Sequence, residues 1–222
     1  MPAAALPKVR SELAALSRRL HHNGWAANHD GNLSVRLHGQ RFLCTPTAVS
    51  KHDVDESMLL VVDDKGAVLE GRRKPFSELE LHLAIYRSRP EVDAVIHAHP
   101  PHATAWGLVG KELAPIAMPE IIVSLGDRIP TLPRAMPREP AGVKAVEDAF
   151  GQFDAALLQG NGVFTCGTDL SQALLRMELV EHYAKILSLA SPLGTITPLS
   201  TAELAKLMEA RRKAGLGPKP KA

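Results

Sequence analysis

His97 and His99 stand two residues apart at the end of the apolar run Val92 to Ile96. In a strand, residues i and i+2 point to the same side, so the pair presents two imidazoles together. Two neutral imidazoles placed this way can clamp zinc or a similar divalent ion. The same pattern also describes two solvated histidines at a strand end. Glu78 lies upstream, in the expected first turn of a helix opened by Pro75, where the helix dipole favours a carboxylate. A glutamate beside a metal can ligate it in one state and move a proton in another. It can equally be a plain capping carboxylate. The strand after this helix is the one that ends in the histidine pair, so the return connection can bring them together. His82 follows Glu78 by four residues and shares its helix face, as a supporting partner or as a core histidine.

Other turns carry weaker signals. Gly31 to Ser34 and Thr45 to Ala48 flank strands and expose N–H groups and hydroxyls that can hold an anion. Ordinary turn chemistry explains both as well. Gly160, Asn161 and Gly162 read as a tight hairpin turn.

The elements that must position these residues follow from periodicity. Leu6 to Leu20 is an amphipathic helix that stops at Asn23 and Gly24. Leu33 to Leu37 and Phe42 to Thr45 are strands, and Met58 to Val62 pairs with Ala67 to Leu69 in a hairpin. Ser77 to Arg87 is helical, Val92 to Ile96 is a buried strand, and His102 to Leu108 is a helix started by Pro101. Ile121 to Val123 reads as a short strand, followed by an irregular loop punctuated by Pro130, Pro133, Pro137 and Pro140. Val143 to Phe150 is helical, and Ala155 to Leu158 and Val163 to Cys166 are strands. Ser171 to Leu189 is a long helix with a broad apolar face, and a last helix runs about Thr201 to Ala214, capped by Ser200 or Thr201. This pattern predicts one α/β domain over residues 1–214, its mixed, largely antiparallel sheet covered by helices on both faces, and a disordered tail over 215–222.

Composition narrows the function classes. The 222 residues carry 26 Lys+Arg against 24 Asp+Glu, so charge gives no reason to expect nucleic acid or membrane as a partner. No apolar run reaches the roughly 18 residues needed to span a bilayer. Met1 to Ala5 show no basic leader. Two cysteines make no disulfide framework, which points to a cytoplasmic location. Ten histidines against two thiols mean that a metal site here would use His and carboxylate.

In order and spacing these segments resemble the class II aldolase/adducin-head family, whose best-known members are zinc-dependent sugar-phosphate aldolases. The carriers are Gly31 to Arg36, Thr45 to Thr47, Ser77 and Glu78 with His82, Arg89 to Pro100, and Leu157 to Gly162 with the long helix after it. The resemblance covers about Leu6 to Leu189. It implies an α/β/α sandwich and a homotetramer with active sites between subunits. It also implies a divalent ion, Zn2+ first and Mn2+, Co2+ or Mg2+ as alternatives, held by His97, His99 and Glu78. Glu78 would be the catalytic acid/base. Asn32, Thr45, Thr47 and Ser77 would bind the substrate's phosphate or other anionic group. The implied reaction is retro-aldol cleavage of a small hydroxy-carbonyl substrate through an enediolate. Decarboxylation by relatives with the same logic is the alternative, and a non-catalytic binding module like the adducin head is the rival from another class.

Three departures from the family pattern stand out. Asn161 occupies the position of a third metal-binding histidine. His182 is the proposed replacement, because about nine helical residues returning at ~1.5 Å each draw level with the end of the preceding strand. Phe76 replaces the first of two serines and Ala48 replaces a glycine, which argues against a standard aldose 1-phosphate. Glu120 lies where those aldolases carry a tyrosine acid.

Overall fold

The computed structural model describes residues 6–134 and 139–219. Met1 to Ala5, Pro137 of the proline-punctuated loop and residues 220–222 of the expected tail lie outside the described residues. Helix α1 (Leu6–His22) precedes strands β1 (Asn32–Leu37), β2 (Arg41–Cys44), β3 (Leu60–Val62) and β4 (Val68–Glu70). Helix α2 (Leu79–Ser88), strand β5 (Ala94–Ala98), helices α3 (Pro101–Leu108) and α4 (Pro119–Leu125) and strand β6 (Thr131–Leu132) follow. Then come α5 (Pro140–Phe150), β7 (Ala155–Leu158), β8 (Val163–Gly167), α6 (Leu170–Ala190) and α7 (Thr201–Lys213).

Among the described residues the strands form one eight-stranded sheet, in the order β4-β3-β2-β1-β5-β8-β7-β6. Neighbours are antiparallel except β6 with β7. Alternation along each strand sorts side chains onto two faces. Leu33, Leu43, Val61, Ile96, Leu157 and Val163 join one core, which α1, α3, α4 and α6 complete. Phe42, Leu60, Val95, Leu158, Phe164 and Cys166 join the other, closed by α2 and α5. The chain is therefore a single-domain α/β/α sandwich with a central, largely antiparallel sheet.

Some elements differ from the sequence reading. Ile121 to Val123 lies in α4, not in a strand. A three-residue apolar run has no period of its own. Here Pro119 starts a helix, and Ile121, Ile122 and Leu125 share the face it buries. Thr131–Leu132, within the expected irregular loop, joins the sheet edge as its one parallel pair. Glu56–Met58 is a single 3-10 turn capped by Asp55, so β3 begins only at Leu60. Helix α2 begins at Leu79, which leaves Ser77 and Glu78 ahead of it. Ser200 caps α7 through a reciprocal capping box with Glu203. Along the expected tail, the Lys219 N–H donates to Glu91 Oε1 at 3.2 Å.

One buried charge cluster ties distant parts of the chain together. Asp154, fully buried just before β7, accepts from Arg89 at 3.1 Å and pairs with Arg176 of α6 at 2.9 Å. Arg211 of α7 reaches the same carboxylate. Removing one partner of such a cluster leaves uncompensated buried charge. Asp154→Ala is expected to lower unfolding free energy by about 3–5 kcal/mol. A urea midpoint equal to that of wild type would show that the three guanidiniums do not depend on Asp154.

Candidate active site

Strand β5 carries the histidine pair into the middle of the sheet. His97 lies opposite Asn32 of β1 on one side and Phe164 of β8 on the other. Its ring stacks on Phe164, with centroids 4.1 Å apart. A carbonyl can only accept, so His97 Nδ1 carries the proton it donates to the Val163 oxygen at 3.1 Å. That bond leaves Nε2 bare and fixes the ring, as partners of metal-binding histidines do. His99, just past the strand end, points to the same side, and the two Nε2 atoms are 3.2 Å apart. The His99 backbone N–H donates to the Trp25 carbonyl at 2.8 Å. Its Nδ1 faces the Asp30 carboxylate at 3.8 Å.

Glu78 immediately precedes α2 but makes no capping hydrogen bond. Its carboxylate turns into the site instead, with Oε1 3.9 Å from His97 Nε2. Asn161 Nδ2 donates to Oε1 at 3.4 Å. Asn32 Nδ2 and Ser77 Oγ donate to Oε2 at 3.1 and 3.3 Å. The loop after β2 pairs with the segment before α2, through a Pro46–Pro75 bridge and a Thr47 N–H to Lys74 carbonyl bond of 2.9 Å. This pairing sets Thr47 beside Ser77. Ala48 takes a left-handed φ of +56° there, a conformation that favours glycine.

These residues surround a cavity of about 180 Å3, lined by Asn32, Thr47, Ser77, Glu78, His97 and His99 together with Phe76 and Asn161. Thr45 is not in its wall. It is buried, and its Oγ1 accepts the Leu33 N–H at 3.2 Å, so it braces the turn behind the cavity. His182 is exposed on α6 and lines a surface groove with Trp25 and His102. The inward stripe of α6 runs through Leu174, Met177, Val180, Glu181 and Ala184, so the helical period turns His182 outward. Glu120 is exposed on α4, away from the cavity wall. His29 and Asp30 also line the cavity, and their place beside Gly31 and Asn32 is the one signal of it in the sequence.

Burial decides the protonation of the inner histidines. His97 is pushed down to about 4 by burial, with Glu78 opposing the shift. His82 is held well below the usual imidazole range by burial and then by His97. Its Nδ1 shares a 2.7 Å hydrogen bond with Ser34 Oγ, and its ring sits 4.9 Å from that of Phe76. Burial alone would raise the Glu78 carboxyl. His97, when it carries a proton, and the hydrogen bonds from Asn161 and Ser77 outweigh it and hold the group below the ordinary carboxylate range.

The donor set fits a divalent cation. Two nitrogens bound at the usual 2.0–2.1 Å in a tetrahedron stand roughly 3.3 Å apart, and the 3.2 Å between the two Nε2 atoms matches. Among the described residues no three His, Cys, Asp or Glu side chains close on one ion by themselves. Two imidazoles with a carboxylate alongside leave room for a substrate's oxygens. Such a site can polarise a carbonyl while Glu78 handles a proton.

Two consequences are measurable. Gly162 has a φ of +66°, and a Cβ there would stand 2.3 Å from the Ala98 carbonyl and 2.4 Å from the His99 ring. Gly162→Ala is expected to weaken divalent-metal binding by at least tenfold and to lower the melting temperature; titration calorimetry showing wild-type affinity would refute this geometry. His97 and His82 stay neutral when folded but take up protons near pH 6.5 when unfolded. The contribution of His97 to stability is therefore present above about 6.5 and lost as the pH falls toward 4, and that of His82 is lost in the same direction. Urea midpoints that stay level over that window would contradict the assignment.

The whole chain is similar to known proteins. The family model described as "Class II Aldolase and Adducin N-terminal domain" matches residues 11–188. The chain is 29% identical over 186 residues to 5-deoxy-D-ribulose 1-phosphate aldolase of Bacillus thuringiensis serovar kurstaki, covering 82% of this chain and 84% of that one. It is 29% identical over 202 residues to 3-oxo-tetronate 4-phosphate decarboxylase of Escherichia coli strain K12, covering 88% and 94%. The solved structure of an L-fuculose 1-phosphate aldolase superposes with a TM-score of 0.85 at 29% identity, covering 92% of this chain and 96% of that one.

Proposed function

The chain belongs to the class II aldolase/adducin family, and from that premise we propose that it cleaves a C–C bond of a small hydroxy-carbonyl substrate by a retro-aldol reaction through an enediolate. The observation that carries this reading is the convergence of His97 and His99 Nε2 at 3.2 Å, with Glu78 Oε1 3.9 Å from His97. The two histidines hold the divalent ion, with Zn2+ assigned first and Mn2+, Co2+ and Mg2+ as the other arms of the assay. When bound, the ion offsets negative charge that develops on the substrate's oxygens. Glu78 delivers a proton to the carbon left as the enediolate when the bond breaks, and the proton of the hydroxyl that becomes the aldehyde leaves to water. Asn32 and Ser77 hold its Oε2 while Asn161 holds Oε1, so the carboxylate stays aimed into the cavity. Asn32, Thr47 and Ser77 bind the substrate's anionic end, for which Ser77 turns its one O–H from Glu78 to the substrate, and Thr45 supports them from behind.

Decarboxylation of a hydroxy-keto acid is the second reading. The buried Phe76 ring in the cavity wall supports it, since that ring takes space where a phosphate would otherwise be bound and a carboxylate is smaller. A relative that is a decarboxylase, 3-oxo-tetronate 4-phosphate decarboxylase, supports it to the same degree as the aldolase relatives support the first reading. A homotetramer belongs to the same proposal, supported by Leu175 and Leu189 exposed on the outer face of α6; sedimentation velocity measures it. No helix among the described residues is long and apolar enough to cross a membrane, and the cytoplasmic location is likewise proposed.

The test is a substrate panel of 2-keto-sugar phosphates, free aldoses and hydroxy-keto acids, with the metal varied. Release of an aldehyde fragment supports retro-aldol cleavage, and release of CO2 supports the second reading. Glu78→Gln is expected to keep metal uptake and to lower kcat by roughly 10²–10⁴-fold. Unchanged turnover would remove Glu78 from the proton transfer.

A further inference from the structure

The loops that wall the cavity enclose a lysine that the proposed chemistry does not use. Lys51 is 1% exposed. Its ammonium donates to the His29 carbonyl at 3.1 Å and to the Val49 carbonyl at 3.2 Å. The two acceptors belong to different loops. His29 leads into Asp30, Gly31 and Asn32 on one wall, and Val49 follows Thr47 and the left-handed Ala48 on the other. Neither carbonyl carries a charge. Burial draws Lys51 down to about 8, Asp30 and Glu78 oppose that shift from longer range, and the ammonium, still charged at pH 7, acts in turn on His97. A buried cation with only neutral partners is costly unless charge nearby compensates it. Asp30 and Glu78 bring two negative charges to the cavity and Lys51 one positive. A divalent ion therefore leaves one positive charge in excess, which suits an anionic ligand.

We propose that Lys51 is a positioning residue that ties the two cavity loops together and sets the charge of the site, so that the metal-loaded cavity takes up an anion. This rests on the metal site proposed above. The two roles separate by sign. A fixed positive charge repels the metal and attracts the anion, whereas a purely structural tie supports both.

The experiment titrates apo-protein with Zn2+, and then the Zn2+-loaded protein with oxalate, a small dianion with oxygens on adjacent carbons. Lys51→Gln keeps an N–H donor and removes the charge. It is expected to bind Zn2+ about 3- to 10-fold more tightly and oxalate about 3- to 10-fold more weakly. Lys51→Arg, which keeps the charge, should return both affinities toward wild type. Should the glutamine variant not fold, Lys51→Met, which removes charge and tie together, is expected to weaken oxalate at least 3-fold more than Zn2+, and equal weakening of the two overturns the proposal. In the glutamine variant, weakening of both ligands together would make Lys51 a structural tie alone and overturn the proposal, as would no change in either. Wild-type protein that takes up no metal would overturn the metal site and this inference with it. Metal uptake by wild type, with both affinities unmoved by Lys51→Gln, would overturn this inference alone.

Discussion

The register of β5 between β1 and β8 is the constraint on which the site depends. His97 is paired across from Asn32 on one side and Phe164 on the other. A slip of one residue would turn every side chain of the strand to the opposite face. His97 would leave the Phe164 ring and the Val163 carbonyl, and Ala98 would face Glu78. Ile96 and Ala98 are packed into the core under α6, while Val95 faces the α2 side. Both cores therefore hold the register, and the catalytic geometry inherits its precision from hydrophobic packing.

Close backbone approach is the second condition. A Cβ on Gly31 would come within 3.0 Å of the His97 carbonyl, and one on Gly162 would strike the Ala98 carbonyl and the His99 ring. These two glycines let the loop before β1 and the β7–β8 turn close over the end of β5 from both sides. Asn32 and Asn161 follow from that, since each lies next to one of these glycines and each donates to a different Glu78 oxygen. Glu78 thus sits in a fan of donors where a helix cap would have used it locally.

Charge is divided between two places with different tasks. The Asp154 cluster lies away from the cavity and links α6, α7 and the segment after α2. Near the cavity, burial keeps His97 and His82 neutral, while Asp30, Glu78 and Lys51 carry charge around them. Neutral imidazoles are the form that binds a metal ion, so the burial that costs stability in acid also prepares the donors.

Much of this was legible in the chain. The His97/His99 spacing, the apolar strand before it and the helix that leads to that strand are local features, and periods of two and 3.6 residues express them directly, although Glu78 itself stands just ahead of α2 and not in its first turn. Long, strongly periodic elements such as α1 and α6 read correctly for the same reason. Ile121 to Val123 did not, because three apolar residues fit either period until Pro119 and the packing of α4 decide. His182 was judged by height along a helix, but its direction depends on which face of α6 the core claims. The partners of His97 could not be read either: a backbone carbonyl has no residue signature, and Asp30 and Lys51 reach the site from loops whose course is set by long-range pairing. The amino-acid sequence by itself determined which side chains could do the chemistry and on which elements they ride, because those are local properties of spacing. Only the tertiary structure decided that Asn161 meets Glu78, that Thr45 faces the backbone rather than the cavity, and that Lys51 bridges two loops. Those outcomes depend on sheet order and close backbone approach between segments far apart in the chain.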